Sequence, residues 1–152
     1  MTVAAVRPDS WNLPLFLHVL GATVLVGALI VVAWTLVKAW RGDAHGFTFL
    51  AARVLMLGAI PAFIVMRGSA QWIADKEGLA DKDPTWIGIG FGTSDGGFLF
   101  LLITSVLVGL TTRRLRRDPQ ASPTLIRVAA VLTLIPLAAY LVAIWAMTTK
   151  PS

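Results

Sequence analysis

Four long apolar runs, separated by three short charged connections, constrain this chain more than any motif does. They cover roughly residues 13–37, 50–73, 93–112 and 125–147, and the third reaches continuous apolar sequence only at Phe98. A helix needs about 20 residues to cross a bilayer, so each run is long enough. Composition agrees: 57% of residues are hydrophobic and 14% charged, whereas soluble domains carry about 25% charged residues. A water-soluble fold would have too little polar surface to cover itself. The expected fold is all-α and integral to the membrane, a bundle of four transmembrane helices forming a single domain over 1–152.

Charge gives the direction of the spans. Lys38 and Arg41 follow the first run, Arg53 opens the second, and Arg113, Arg114, Arg116, Arg117 and Arg127 surround the connection from the third to the fourth. The connection between the second and third runs holds Asp75, Glu77, Asp81 and Asp83 against Lys76 and Lys82. Basic connections stay in the cytoplasm, so both termini and the acidic connection are expected outside a bacterial cytoplasmic membrane. Trp11, Trp72, Trp86 and Trp145 then fall at the outer interface, and Trp34 and Trp40 at the inner one. The first run is too long for the core of a cleaved signal peptide, and its basic residues follow rather than precede it. The net charge of +5 belongs to this asymmetry and to anionic lipid at the cytoplasmic face. The aromatic and basic interleaving of a nucleic-acid binder is missing. With no cysteine, disulfides, thiolate metal sites and cysteine nucleophiles are excluded.

The segment FLHVLGATVLVG (Phe16–Gly27) aligns without a gap on FLFLLITSVLVG (Phe98–Gly109), and Arg53 with Pro61 echoes Arg127 with Pro136. Ordered landmarks of this kind point to two duplicated helical hairpins. Phe100 stands where the first copy has His18, and the fourth span lacks counterparts of Arg67 and Gln71. Any polar site is therefore expected on the first hairpin.

On a helix of 3.6 residues per turn, His18 shares a face with Gly21, Ala22, Leu25 and Ala28, a small-residue face suited to contact with another helix. His18 lies five residues from Leu13, about 7.5 Å below the outer end, and Arg67 six residues from Ile73, about 9 Å below it. Their common depth, with Gln71 one turn from Arg67 and Asp95 at the start of the third span, suggests an outward-facing pocket of His18, Arg67, Gln71 and Asp95. A plainer arrangement has Arg67 snorkelling to the headgroups and His18 bonded to a neighbouring backbone carbonyl. The stretch WIGIGFGTSDGG is expected to fold back over the outer face, with Ser94 or Asp95 capping the third helix. Pro61 and Pro136 are expected to kink their spans, with Thr133 covering a freed carbonyl.

The His-x-x-Gly-Ala start in FLHVLGATVLVGALI, with QWIADKEG and the Trp-containing, Gly-rich connection after it, resembles small four-helix integral membrane proteins of actinobacterial type, a family of unknown function. More distantly, the His-x-x-Gly start is similar to the copper-resistance D membrane domain and the HemJ-type haem-binding proteins. That likeness implies haem b or copper held at His18. Met66, at the same depth, is the second ligand this chain offers, and Met147 a further sulfur; His45 lies at the opposite face. No hydrolytic constellation is present. The chain reads as a non-catalytic membrane subunit, accessory to a larger complex or forming a homo-oligomer, with two alternatives: a haem- or copper-binding redox protein, or a small-ligand transport module.

Overall fold

The computed structural model describes residues 11–42, 44–78, 85–118 and 124–149, apart from the side chains of residues 77, 85, 86 and 147. Among the described residues, five α-helices and one π-helical turn make up four antiparallel rods. The first rod is α1 (Asn12–Arg41); the second joins α2 (Ala44–Val54) through a π-turn (Leu55–Ala59) to α3 (Ile60–Glu77). The third is α4 (Thr85–Arg117) and the fourth α5 (Thr124–Thr149). All four are long and apolar enough to cross a membrane. The chain is a multi-pass, four-helix membrane bundle.

Local chemistry sets the helix ends. Pro14 lies in the first turn of α1, where its missing N–H leaves no helical bond unmade. The other end of α1 closes when the Gly42 N–H donates to the Lys38 carbonyl at 3.1 Å. Gly78 ends α3 in the left-handed region at φ 61°, with its N–H directed to the Ala74 and Asp75 carbonyls. Glycine adopts that conformation without a Cβ penalty.

Each rod packs against its neighbours in sequence, and α5 returns to α1, which closes a ring of four. The ring has a basic end, with Lys38, Arg41, Arg53, Arg113, Arg114, Arg116, Arg117 and Arg127, and an acidic end with Asp75 and Asp95. At the basic end α2 packs on α4; at the acidic end α3 touches α4 only sparsely. Leu25, Leu29, Val32 and Leu36 of α1, Ala51, Leu55 and Ala59 of the second rod, Leu101 and Val108 of α4, and Ile126 and Ala129 of α5 form the core. The outside is as apolar as the inside: Leu57 is 75% exposed and Phe16, Val106 and Val131 are each 61% exposed. Thr35, Thr48, Thr104 and Thr133, by contrast, are fully buried. Lipid tails are as apolar as leucine, so hydrophobicity does not sort these faces, and small and hydroxylated residues take the interfaces.

The third rod corrects the expected span of 93–112. Helix α4 begins at Thr85, and WIGIGFGTSDGG forms its first turns rather than a flap across the outer face. Ser94 and Asp95 lie well inside the helix and do not cap it. Glycine's weak helix propensity is measured in water, where an open backbone bonds to solvent; near hydrocarbon that alternative is lost and the helix is retained. The Thr93 hydroxyl adds a bond to the Ile89 carbonyl at 2.6 Å.

The two prolines behave differently. Before Pro61 the helix widens, and the Ile60 N–H reaches back five residues to the Leu55 carbonyl. That turn makes room for the proline ring, which would otherwise press on the carbonyl four residues earlier. Pro136 is accommodated inside α5, and there the Thr133 hydroxyl donates to Ala129 at 2.7 Å, not to the Leu132 carbonyl that the proline frees. The aligned segments also differ in packing. Gly21 is buried where Ile103 is 40% exposed, and Leu25 is fully buried where Leu107 is half-buried. Their sequence likeness does not carry a shared packing face.

Candidate functional site

The site begins with a glycine. A methyl group on Gly21 would lie 2.8 Å from the Met66 nitrogen and 3.0 Å from both the Ala62 carbonyl oxygen and the Met66 Cα. Only hydrogen fits there, so α1 and α3 approach backbone to backbone. One turn earlier on the same face, His18 Nδ1 comes within 3.0 Å of the Met66 carbonyl oxygen. A carbonyl can only accept, so Nδ1 carries the hydrogen, and in the Nδ1–H tautomer of the ring Nε2 is an acceptor. The His-x-x-Gly spacing thus has a packing reason: the glycine admits the neighbour, and the histidine bonds it.

Beside His18 is a cavity of about 30 Å³, lined by His18, Ala22, Leu25 and Val26 of α1, Met66 of α3, Ser94 of α4, and Tyr140, Ala143 and Ile144 of α5. All four rods contribute to its wall. Gly97 makes space for the phenol: a methyl there would lie 3.1 Å from Tyr140 Cζ. Phe63 stacks on Phe98 with ring centres 4.1 Å apart, and Tyr140 tilts against Phe63 at 6.3 Å.

A second cluster ties α3 to α4 where their backbones barely touch. Arg67 Nε donates to Asp95 Oδ1 at 2.9 Å and Nη2 to Oδ2 at 3.4 Å, a two-point ion pair. Arg67 Nη1 donates to Gln71 Oε1 at 3.2 Å, and Gln71 Nε2 passes the chain on to Asp75 Oδ1 at 3.0 Å. The guanidinium also lies 4.3 Å from the centre of the Phe91 ring. The Arg67 and Asp95 side chains are 27% and 56% exposed, which puts the pair on the bundle surface.

The structure therefore joins Arg67, Gln71 and Asp95, three of the four residues expected around one pocket, and gives His18 a backbone partner on the adjacent residue. The cavity wall includes His18 and Met66 but not Arg67, Gln71 or Asp95. Sequence reasoning missed Ser94, Tyr140, Gly97, Phe91 and Asp75. One signal for Tyr140 was available, because it is the chain's single tyrosine and lies in an apolar run. A phenol hydroxyl in hydrocarbon needs a partner.

The implied cofactors can be tested against this wall. Ligand pockets of drug size occupy roughly 300–1,000 Å³, so a cavity of about 30 Å³ does not fit a haem. His45 belongs to α2 at the basic end, and the Met147 side chain lies outside the described residues. A single soft ion would find one nitrogen, His18 Nε2, and one sulfur, that of Met66.

The basic end is held by stacked cations. Arg53 and Arg116 lie 5.3 and 5.6 Å from the Phe49 ring, and Arg127 5.1 Å from Trp40. Leu110, Arg113, Arg114 and Arg117 line an open surface pocket of about 270 Å³. Compared with known protein families, curated proteins and solved structures, the chain matches none.

Proposed function

We propose that the chain is a non-catalytic subunit of a bacterial cytoplasmic membrane, acting within a homo-oligomer or larger membrane complex, with its acidic end outside. The observation that supports this is the cavity at which all four rods meet. Its volume suits one water-sized guest and not a substrate, and its polar groups come from three different rods. Occupancy of such a cavity acts on helix arrangement, which is what a regulatory or accessory subunit transmits. Arg67, Gln71 and Asp95 flank it as an outward-facing polar cluster. The arginine pocket at the basic end suits the headgroups of anionic lipid. The likeness to small actinobacterial-type membrane proteins accords with this reading and adds no activity to it.

Two measurements test the proposal. Extraction into native lipid discs followed by mass measurement is expected to give more than one polypeptide per particle; a single copy with no associated protein overturns it. The chain has no cysteine, so Ala80→Cys is expected to react with a membrane-impermeant maleimide from outside, and Asp118→Cys only after permeabilisation. The reverse pattern overturns the orientation.

A second reading rests on one specific feature. A metal-bound imidazole characteristically donates its other nitrogen to a carbonyl or carboxylate, as His18 Nδ1 does to Met66. Copper(I), through His18 Nε2 and the Met66 sulfur, is the ion this pair would suit. Metal analysis of the purified protein tests it: stoichiometric copper lost in His18→Ala supports the reading, and metal-free protein ends it.

A further inference from the structure

Hydroxyl groups inside the bundle follow one rule with instructive exceptions. Thr35, Thr48, Ser69, Thr93, Ser105, Thr111, Thr112 and Thr133 each donate to a carbonyl three or four residues earlier in their own helix. Ser94 does not, although it is only 5% exposed, and Tyr140 is 2% exposed. Neither hydroxyl oxygen has a hydrogen-bond partner among the described residues. Both residues line the cavity beside His18, whose bare Nε2 is a third polar atom without an assigned bond. Thr104 is the remaining buried hydroxyl without a partner among the described residues, and it is not part of this wall.

We propose that the cavity is a binding site for one water molecule that links His18 Nε2 to the hydroxyls of Tyr140 and Ser94. Size and hydrogen-bond arithmetic both select that guest. A cavity needs about 10–15 Å³ of probe-occupied volume to hold a water, and a buried water makes about three hydrogen bonds to otherwise unsatisfied groups; this one offers about 30 Å³, two unpartnered hydroxyls and the His18 imidazole. Water has two donors and two acceptors. It gives one hydrogen to Nε2, which can only accept in the neutral ring, and accepts one from each hydroxyl. An ammonium ion, with four donors and no acceptor, would leave both hydroxyl hydrogens unmet in an apolar wall, at a cost the water avoids. The water joins α1, α4 and α5, and the His18–Met66 bond extends the chain to α3.

This deepens the reading of the cavity as the working part of the subunit, and its test is separate from oligomeric state or topology. The full chain, with ¹⁵N-labelled histidine, is reconstituted in lipid bilayers and examined by proton-detected solid-state NMR. The expected result is a neutral His18 ring protonated at Nδ1, with magnetisation passing from water to Nε2. Tyr140→Phe and Ser94→Ala should each weaken the water-to-Nε2 transfer severalfold and keep the Nδ1 signal; the serine variant decides if the tyrosine variant misfolds. An Nε2-protonated neutral ring, a dry wild-type ring, or a metal-shifted Nε2 resonance overturns the proposal.

Discussion

Replacing Gly21 by alanine isolates the contact on which the site is built. The added methyl would lie 2.8 Å from a backbone nitrogen and 3.0 Å from a backbone oxygen and Cα, with no flexible side chain to yield. Relief requires α1 and α3 to separate, and overpacking of this kind costs about 1–3 kcal/mol. Separation also stretches the 3.0 Å His18–Met66 bond, worth about 0.5–1.5 kcal/mol. Alanine's better helix propensity returns up to about 1 kcal/mol. The expected net loss is about 1–3 kcal/mol. Gly27 lies on the same helix, and a methyl there meets nothing within 4 Å, so Gly27→Ala should be neutral or stabilising by up to about 1 kcal/mol. Reversible unfolding in mixed micelles, followed by tryptophan fluorescence and circular dichroism, measures both. A His18→Ala/Gly21→Ala double-mutant cycle should show non-additivity of at least about 0.5 kcal/mol. Equal stabilities for the two glycine variants, within about 0.5 kcal/mol, or strict additivity in the cycle, would refute the reasoning.

Asp95→Asn should cost no more than about 1 kcal/mol, because the Arg67–Asp95 pair is partly exposed and screened. That cost should shrink with added salt; a larger, salt-independent loss of about 2.5–3.5 kcal/mol or more would place the pair in hydrocarbon. Gly97→Ala should push Tyr140 off its seat, since the methyl would lie 3.1 Å from Cζ, with a stability loss of about 1–3 kcal/mol. Displaced Tyr140 ring resonances in NMR spectra would check it, and unshifted ones would count against it. Neutralising Arg113 and Arg117 together to glutamine should weaken retention of anionic lipid in native mass spectrometry by about 1 kcal/mol per charge; unchanged retention would detach the arginine pocket from lipid.

Much of the bundle was legible because the bilayer imposes few solutions. Apolar run length gave the number of rods, and His18, Gly21, Leu25 and Ala28 fell on one inward face because helical periodicity holds whatever the partner. Arg67 and Asp95 were expected near each other because unpaired charge is costly at that depth. The start of α4 was not legible. Gly88, Gly90, Gly92, Gly96 and Gly97 read as loop residues by propensities measured in water, and the medium reverses that preference. Ser94 and Tyr140 were missed for a different reason: their meeting with His18 depends on how α4 and α5 rotate against α1. That rotation is set by features such as the fit of Tyr140 over Gly97, which leave no periodic mark in sequence. The π-turn before Pro61 also escaped, since Pro136 produces none in α5.

The distribution of polar contacts along the rods sets the level of the cavity apart from the rest of the bundle. In the middle of the bundle, hydroxyls such as those of Ser105 and Thr133 bond within their own helices. Such bonds satisfy the group and say nothing about which neighbour is adjacent. Contacts that do specify a neighbour lie towards the ends: Arg116 over Phe49 and Arg127 over Trp40 at the basic end, and His18 on Met66 with Arg67 on Asp95 at the other. Between them, Leu25, Leu29, Val32 and Leu36 offer close packing without direction. A bundle fastened in this way resists separation at both ends and tolerates small rotations between. The cavity lies at the junction of those regimes, its wall running from Leu25 in the dry core to His18 at the polar fastening. A guest that bonds His18 on one side and Tyr140 on the other therefore acts on the relative rotation of α1 and α5.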